Sequence, residues 1–321
     1  MRLRPLTALS AVAISALLLT GCSGSADPEP DPTADANADA ADSQCLLDAQ
    51  PSEASDAVTV EGSGNDAVVS LPSDYAIDDI ARTVVNEGDG DDVHAGDLVT
   101  VHFSIVDAAD GSVLDSSDRD GEDALPMLLD PQNSSLFVAA LECQPLGSSV
   151  VLALPSSALG GGDTSLVVYA ESVEKLPTIA QGTPVDPVEG MPTVELDDDG
   201  APTITIPDAD APTETQIAVL QQGDGAEVAP GDLVAVQYRG VKWSDGSEFD
   251  STWSRGGTPT QLPTTGVVTG FRKALEGQKV GSQVLVAMPP AEGYGEQEGH
   301  ELQNETLVFV VDIVATAPIA Q

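Results

Sequence analysis

The chain has 321 residues, enough for about two domains at roughly 150 residues each. Hydrophobic residues make up 41%, which supports real cores, but aromatics only 3%, so those cores must be mainly aliphatic. Eleven basic against 53 acidic residues give a net charge of −42, which repels phosphate backbones and excludes nucleic-acid binding as a main function.

The first predicted element is a leader. Arg2 and Arg4 precede a mostly apolar run over 6–20, and small residues lead to Cys22. This is the layout of a secretory signal over 1–21, with a run too short to span a bilayer comfortably. Leu19-Thr20-Gly21-Cys22 resembles a bacterial lipobox, in which the cysteine becomes the lipidated first residue of the mature protein. An ordinary signal peptide with an incidental cysteine is the alternative. Residues 22–44 are rich in Ala, Asp, Pro and Ser and lack hydrophobic periodicity, so they read as a tether that cannot offset its ordering entropy. The expected location is outside the cell, with Cys22 holding the chain to the outer face of the cytoplasmic membrane by lipid alone. Export permits disulfides, and Cys45 and Cys143 are the remaining cysteines, so one bridge between them is expected, two free thiols being the alternative. His94, His102 and His300 lie far apart with no ligand-like spacing, and no metal or cofactor is expected.

The body of the chain repeats itself. Gly96-Asp97-Leu98-Val99 returns as Gly231-Asp232-Leu233-Val234, and Asp110-Gly111-Ser112 as Asp245-Gly246-Ser247. Phe137 to Pro155 matches Phe271 to Pro289, and Ser165 to Val168 matches Thr306 to Phe309. The expected organisation is a first copy over 45–175, a linker over 176–190 and a second copy over 191–321 with its core at about 223–315. Alternation in Leu233–Tyr238 and β-branched runs at Val284–Met288 and Leu307–Val314 predict strands, with Asp245-Gly246 as a hairpin turn. One short helix is predicted over Phe271–Glu276, where Phe271, Ala274 and Leu275 share a face and Gly277 can close it. Alternating stretches at Ala57–Ser70 and Thr193–Pro207 read as an added strand pair before each copy. The Asp- and Gly-rich string over 87–92 lacks an EF-hand pattern and reads as a turn. Trp243 and Trp253 read as surface or rim packing.

Within the second copy, six ordered motifs carry a resemblance. They are Val236-Gln237-Tyr238-Arg239-Gly240, Asp245 to Ser251, Gly266 to Phe271, Val280-Gly281-Ser282, Pro289 to Gly295 and Thr306 to Asp312. Over about 223–315 the chain resembles an FKBP-type peptidyl-prolyl cis-trans isomerase, and as a whole an actinobacterial exported lipoprotein of that kind. The resemblance implies an α+β, mainly β fold, two domains each made of a curved antiparallel sheet wrapped around a short helix. It implies an apolar cup between sheet and helix, formed by Tyr238, Phe249, Asp250, Val267, Val268, Phe271, Tyr294 and Phe309. Phe271 would be the floor under a proline ring. The Val268 N–H and the Tyr294 hydroxyl would meet substrate carbonyls. Asp250 would orient Tyr238 or Arg255; Arg255 and Leu302 would add to the rim, and a further wall position falls on Thr260. The implied partners are proline-containing unfolded or exported polypeptides.

Such chemistry needs no bond broken. The peptide C–N bond resists rotation by about 18–20 kcal/mol, and an X-Pro bond turns over in tens to hundreds of seconds unaided. A site that binds the twisted amide better than the planar one lowers that barrier.

The first copy departs from the pattern. Phe103 stands for Tyr238, Leu114 for Phe249, Asn133-Ser134 for Val267-Val268 and Val168 for Phe309, and the loop after Pro155 is short and has no tyrosine. Asp115 and Phe137 persist. This copy is expected to be inactive or nearly so, serving as spacer, stabiliser or client-binding surface. The rival reading of the whole chain is a non-catalytic chaperone or scaffold.

Overall fold

A computed structural model describes residues 45–47, 49–118, 124–132 and 135–319. The leader, Cys22, the tether over 22–44 and the Asn133-Ser134 pair lie outside the described residues.

The first half runs α1 (Glu53–Asp56), β1 (Thr59–Glu61), β2 (Val68–Ser70), β3 (Ala81–Asn86), β4 (Leu98–Asp107), β5 (Val113–Ser116), β6 (Leu125–Leu128), α2 (Ser135–Leu141), β7 (Ser149–Leu154) and β8 (Leu166–Lys175). The second half runs β9 (Thr183–Pro184), β10 (Thr193–Leu196), β11 (Pro202–Thr205), β12 (Gln216–Gln222), β13 (Leu233–Lys242), β14 (Glu248–Ser251), β15 (Thr260–Pro263), α3 (Thr269–Leu275), β16 (Gln283–Met288) and β17 (Leu307–Ala317).

The two large sheets have one topology. The first is ordered β3-β7-β8-β4-β5 with β6 also on β4; the second is β12-β16-β17-β13-β14 with β15 also on β13 and β9 added outside β12. All pairings are antiparallel. The chain is thus a mainly β, α+β protein in which each sheet curves around one short helix. The helix starts at Thr269, two residues before the predicted start, and the long strands extend beyond their predicted ends.

Leu307–Ala317 is apolar on nearly every residue because both faces of β17 are covered. One face carries Leu307, Phe309, Val311 and Ile313 into the core under α3. The other carries Val308 and Val310 into a second core with Trp243 and Met191, closed by Val194, Ile204 and Ile206 of the β10–β11 hairpin. Trp243 is therefore buried, not surface or rim packing: it is 8% exposed and its indole N–H donates to the Ala209 carbonyl at 3.2 Å. The β1–β2 hairpin covers the matching face of the first sheet, where Val60, Val69 and Leu71 pack against Val106, Val151 and Val167.

The covered faces also carry polar rows. In the second sheet Gln237, Asp312 and Gln283 sit side by side on β13, β17 and β16, at 1%, 1% and 2% exposure. Asp312 accepts from the Gln283 amide at 2.8 Å and from the Ala180 N–H at 2.8 Å, which ties down the 176–190 segment. The first sheet repeats the arrangement with His102, Glu171 and Ser149, and Glu171 accepts the Gly64 N–H at 2.8 Å.

Cys45 and Cys143 form a disulfide across 98 positions. It lies just past the C-terminus of α2, where Arg82 donates to the carbonyls of Ala139 and Glu142 at 3.0 and 3.1 Å and holds helix carbonyls that lack partners. The two sheets also meet: Leu98 and Leu128 pack against Ala235, Val314 and Ala315, and Gln261 accepts the Leu128 N–H at 3.2 Å.

Candidate active site

Between α3 and the concave face of the second sheet lies a cavity of about 530 Å³. Tyr238, Phe249, Asp250, Val267, Val268, Phe271, Tyr294 and Phe309 all line it.

Strand alternation and the short helix place these groups. Tyr238 and Phe309 point inward from β13 and β17, and Phe249 from β14. Pro263 ends β15, and a single 3₁₀ turn at Thr264–Gly266 leads into Val267 and Val268. Val268 is the N-cap of α3 in extended conformation, φ −61° and ψ 152°, so its own N–H stands outside the helical ladder. Phe271 sits three residues on, 5% exposed.

Phe309 is the hub of the aromatic wall. Its ring meets Phe271 edge-on at 5.0 Å, Phe249 at 5.2 Å and Tyr238 at 6.0 Å between centroids. Edge-to-face packing of this kind fixes ring orientation beyond simple burial. Two glycines make the packing possible. A Cβ on Gly240 would lie 2.7 Å from both Phe249 Cζ and Phe309 Cε1, and one on Gly270 would lie 2.6 Å from Met288 Cβ. Gly240 makes room for the rings, and Gly270 lets α3 settle onto β16 with Phe271 over the sheet.

The polar side is a small network. The Tyr238 hydroxyl donates to Asp250 Oδ2 at 2.5 Å. Arg255 makes an ion pair with Asp250 and its Nη2 donates to the Tyr238 hydroxyl oxygen at 3.1 Å. Its guanidinium also stands 5.6 Å from the Tyr238 ring centre. Arg255 thus acts from behind the wall and does not line the cavity. Leu302 is 4% exposed and packs in the core under α3 rather than on the rim. Thr260 does not line the cavity either; Leu262, two residues on along β15, does.

Tyr294 follows the 3₁₀ turn Pro290–Glu292 and is stacked on His300, with ring centroids 4.2 Å apart and planes 6° apart. His300 Nδ1 accepts the Leu302 N–H at 3.1 Å, which fixes the imidazole beneath the phenol. Sequence reasoning missed His300, Gly240, Leu262 and Glu296 of this site. For His300 the signal was its place six residues after Tyr294; for Gly240, a lone glycine inside a strand, which often marks a close approach.

The equivalent place in the first sheet carries different side chains. Phe309 and Gly240 are paired across β17 and β13; Val168 and Ile105 are paired at the same place across β8 and β4. Ile105 and Val168 belong to the first core, and Phe103 meets Phe137 at 4.8 Å. After Pro155 the chain makes one 3₁₀ turn, Ser156–Leu159, and reaches β8 with no tyrosine on the way.

The second half is thus a mainly aliphatic sheet around one short helix, with an aromatic-lined cavity between them. The family model described as FKBP-type peptidyl-prolyl cis-trans isomerase matches residues 225–314. The "Probable FK506-binding protein" of Corynebacterium glutamicum is 44% identical over 94 residues, covering 29% of this chain and 79% of that protein. The "FK506-binding protein" of Streptomyces anulatus is 39% identical over 99 residues, with 29% and 79% covered. Among solved structures, FkpA from Escherichia coli shares 27% identity at a TM-score of 0.31, covering 41% of this chain and 53% of that one. The chain belongs to the FKBP-type peptidyl-prolyl cis-trans isomerases.

Proposed function

We propose that the chain isomerises X-Pro bonds in exported, incompletely folded polypeptides, at the cavity of the second sheet. The observation that carries this reading is the convergence of all eight motif residues on one cavity beside α3. The proline ring would lie on Phe271 between the walls of Tyr238, Phe249 and Phe309. The Val268 N–H and the Tyr294 hydroxyl would hold carbonyls on either side of the twisting bond. A twisted amide carries less charge separation than a planar one, so a water-poor aromatic cup favours it, and only that difference speeds the reaction. Asp250 and Arg255 act by holding Tyr238.

The proposal extends to the rest of the chain. Lipid attached at Cys22 would anchor it, the acidic tether would hold the folded part off the membrane, and the first copy, with Ile105 in the place of Gly240, would support rather than catalyse. The test is a cis-trans assay on proline peptides and on a refolding protein limited by proline isomerisation. Acceleration that falls in Tyr294→Phe without loss of fold supports the reading; an unaltered rate in that variant removes Tyr294 from the mechanism.

A further inference from the structure

The cavity is lined by two charged residues, and their situations differ. Asp250 is matched by Arg255 and by the Tyr238 hydroxyl. Glu296 is exposed, and among the described residues no ion pair or hydrogen bond holds its carboxylate. The nearby Lys273 is already engaged by Glu292 at 2.7 Å.

Glu296 is also held in place. It sits in a turn closed by the Gln297 N–H on the Tyr294 carbonyl at 3.0 Å, and the Gly295 carbonyl accepts from the Gln303 amide at 3.3 Å. The turn packs so closely that a Cβ on Gly295 would lie 2.5 Å from the Pro290 carbonyl oxygen. Glu296 lies two positions beyond Tyr294, at most about 7 Å along the backbone. Both residues line the same cavity, so the uncompensated carboxylate shares it with the hydroxyl that would hold the substrate carbonyl.

We propose that Glu296 is a specificity residue that favours substrates carrying Lys or Arg beside the proline. The proposal rests on the isomerase reading above. An ammonium or guanidinium next to the twisting bond would meet an unpaired negative charge at the cavity lining, and an acidic side chain would be repelled. The net charge of −42 adds a field of the same sign around the cup. An exposed pair of this kind is worth a few tenths to about 1 kcal/mol, which sets the expected preference at about two- to fivefold.

The test uses the full chain and matched peptides Ala-X-Pro-Phe with X as Lys, norleucine or Glu, at low and at high salt. Norleucine keeps the length of Lys without its charge. The expected order of kcat/KM is Lys above norleucine above Glu, about two- to fivefold per step, converging at high salt. Glu296→Lys should invert the order. Glu298→Lys changes net charge equally but lies off the lining, and should shift the order less. Equal rates for Lys and norleucine peptides, an unchanged order in Glu296→Lys, or an equal shift in both variants overturns the assignment. No acceleration of any of the three peptides overturns the isomerase reading itself, and this proposal with it.

Discussion

The Tyr238 hydroxyl donates to the Asp250 carboxylate at 2.5 Å, across the base of the β13–β14 pair. The bond holds a phenol ring that packs T-shaped against Phe271 and Phe309, at 5.9 and 6.0 Å between centroids. Tyr238→Phe keeps the ring and removes this restraint. A charge-assisted bond at a half-buried site is worth about 1 kcal/mol, so kcat/KM for proline peptides should fall roughly fivefold, with a fall of only a few degrees in the thermal midpoint. Peptide kinetics beside a melting curve check this. A large loss of stability with unchanged kinetics would make the pair purely structural.

Gly240 is the room in which Phe249 and Phe309 meet. Gly240→Ile places in the second sheet the residue that Ile105 supplies in the first. The rings must turn or shift, at a stability cost of about 1–3 kcal/mol, and the cavity shrinks. Activity should fall more than tenfold while far-UV circular dichroism keeps its β signature. Full activity in this variant would show that the cup tolerates a filled base.

Asp312 gives the protein a distinctive pH response. Burial pushes its pKa up to about 6, against the lowering effect of the Ala180 and Gln283 hydrogen bonds. Folding therefore favours the protonated form. The stability gained from that proton is full below the ordinary carboxylate value and is lost as pH rises through about 6. Asp312→Asn stays neutral throughout. Its stability should match the natural chain near pH 4 and exceed it above pH 7, by on the order of 3 kcal/mol. Urea titrations at the two pH values measure the difference; a constant offset would mean that Asp312 does not titrate in the folded range.

The Cys45–Cys143 bridge closes a loop of about a hundred residues in the first half. Replacing both cysteines by serine should destabilise that half by about 4.7 kcal/mol on the chain-entropy account. Since the cavity is built from β12 to β17 and α3, isomerase activity at 25 °C should persist. Denaturation followed by tryptophan fluorescence, which reports the second copy through Trp243 and Trp253, beside far-UV circular dichroism of the whole chain and activity on the same sample, separates the two effects.

Much of the fold was legible because the repeat aligned two sets of strands, and turn residues such as Asp245-Gly246 marked the same hairpin twice. The cup residues were legible as ordered motifs. What escaped was set by tertiary cover. Gln237 and His102 alternate with apolar neighbours, yet both are buried: the Gln237 amide donates to the Gly257 carbonyl, and the His102 ring bonds to Asn65 between β1 and β2. Trp243 escaped for the same reason, since the β10–β11 hairpin that covers it folds back from some forty residues earlier. The near-continuous apolar runs of β7, β16 and β17 were the local sign that both faces were covered. Leu302 read as rim because the length of the loop after Tyr294 does not reveal that it folds inward.

Phe271 and Phe137 occupy equivalent places in α3 and α2, each buried beneath its own sheet. Proline-isomerase rates of the full chain carrying Phe271→Ala or Phe137→Ala, at a temperature where both remain folded, test the central claim most directly. The account predicts that Phe271→Ala loses at least tenfold in kcat/KM while Phe137→Ala keeps the natural rate. Equal losses in both, or a loss confined to Phe137→Ala, would contradict it.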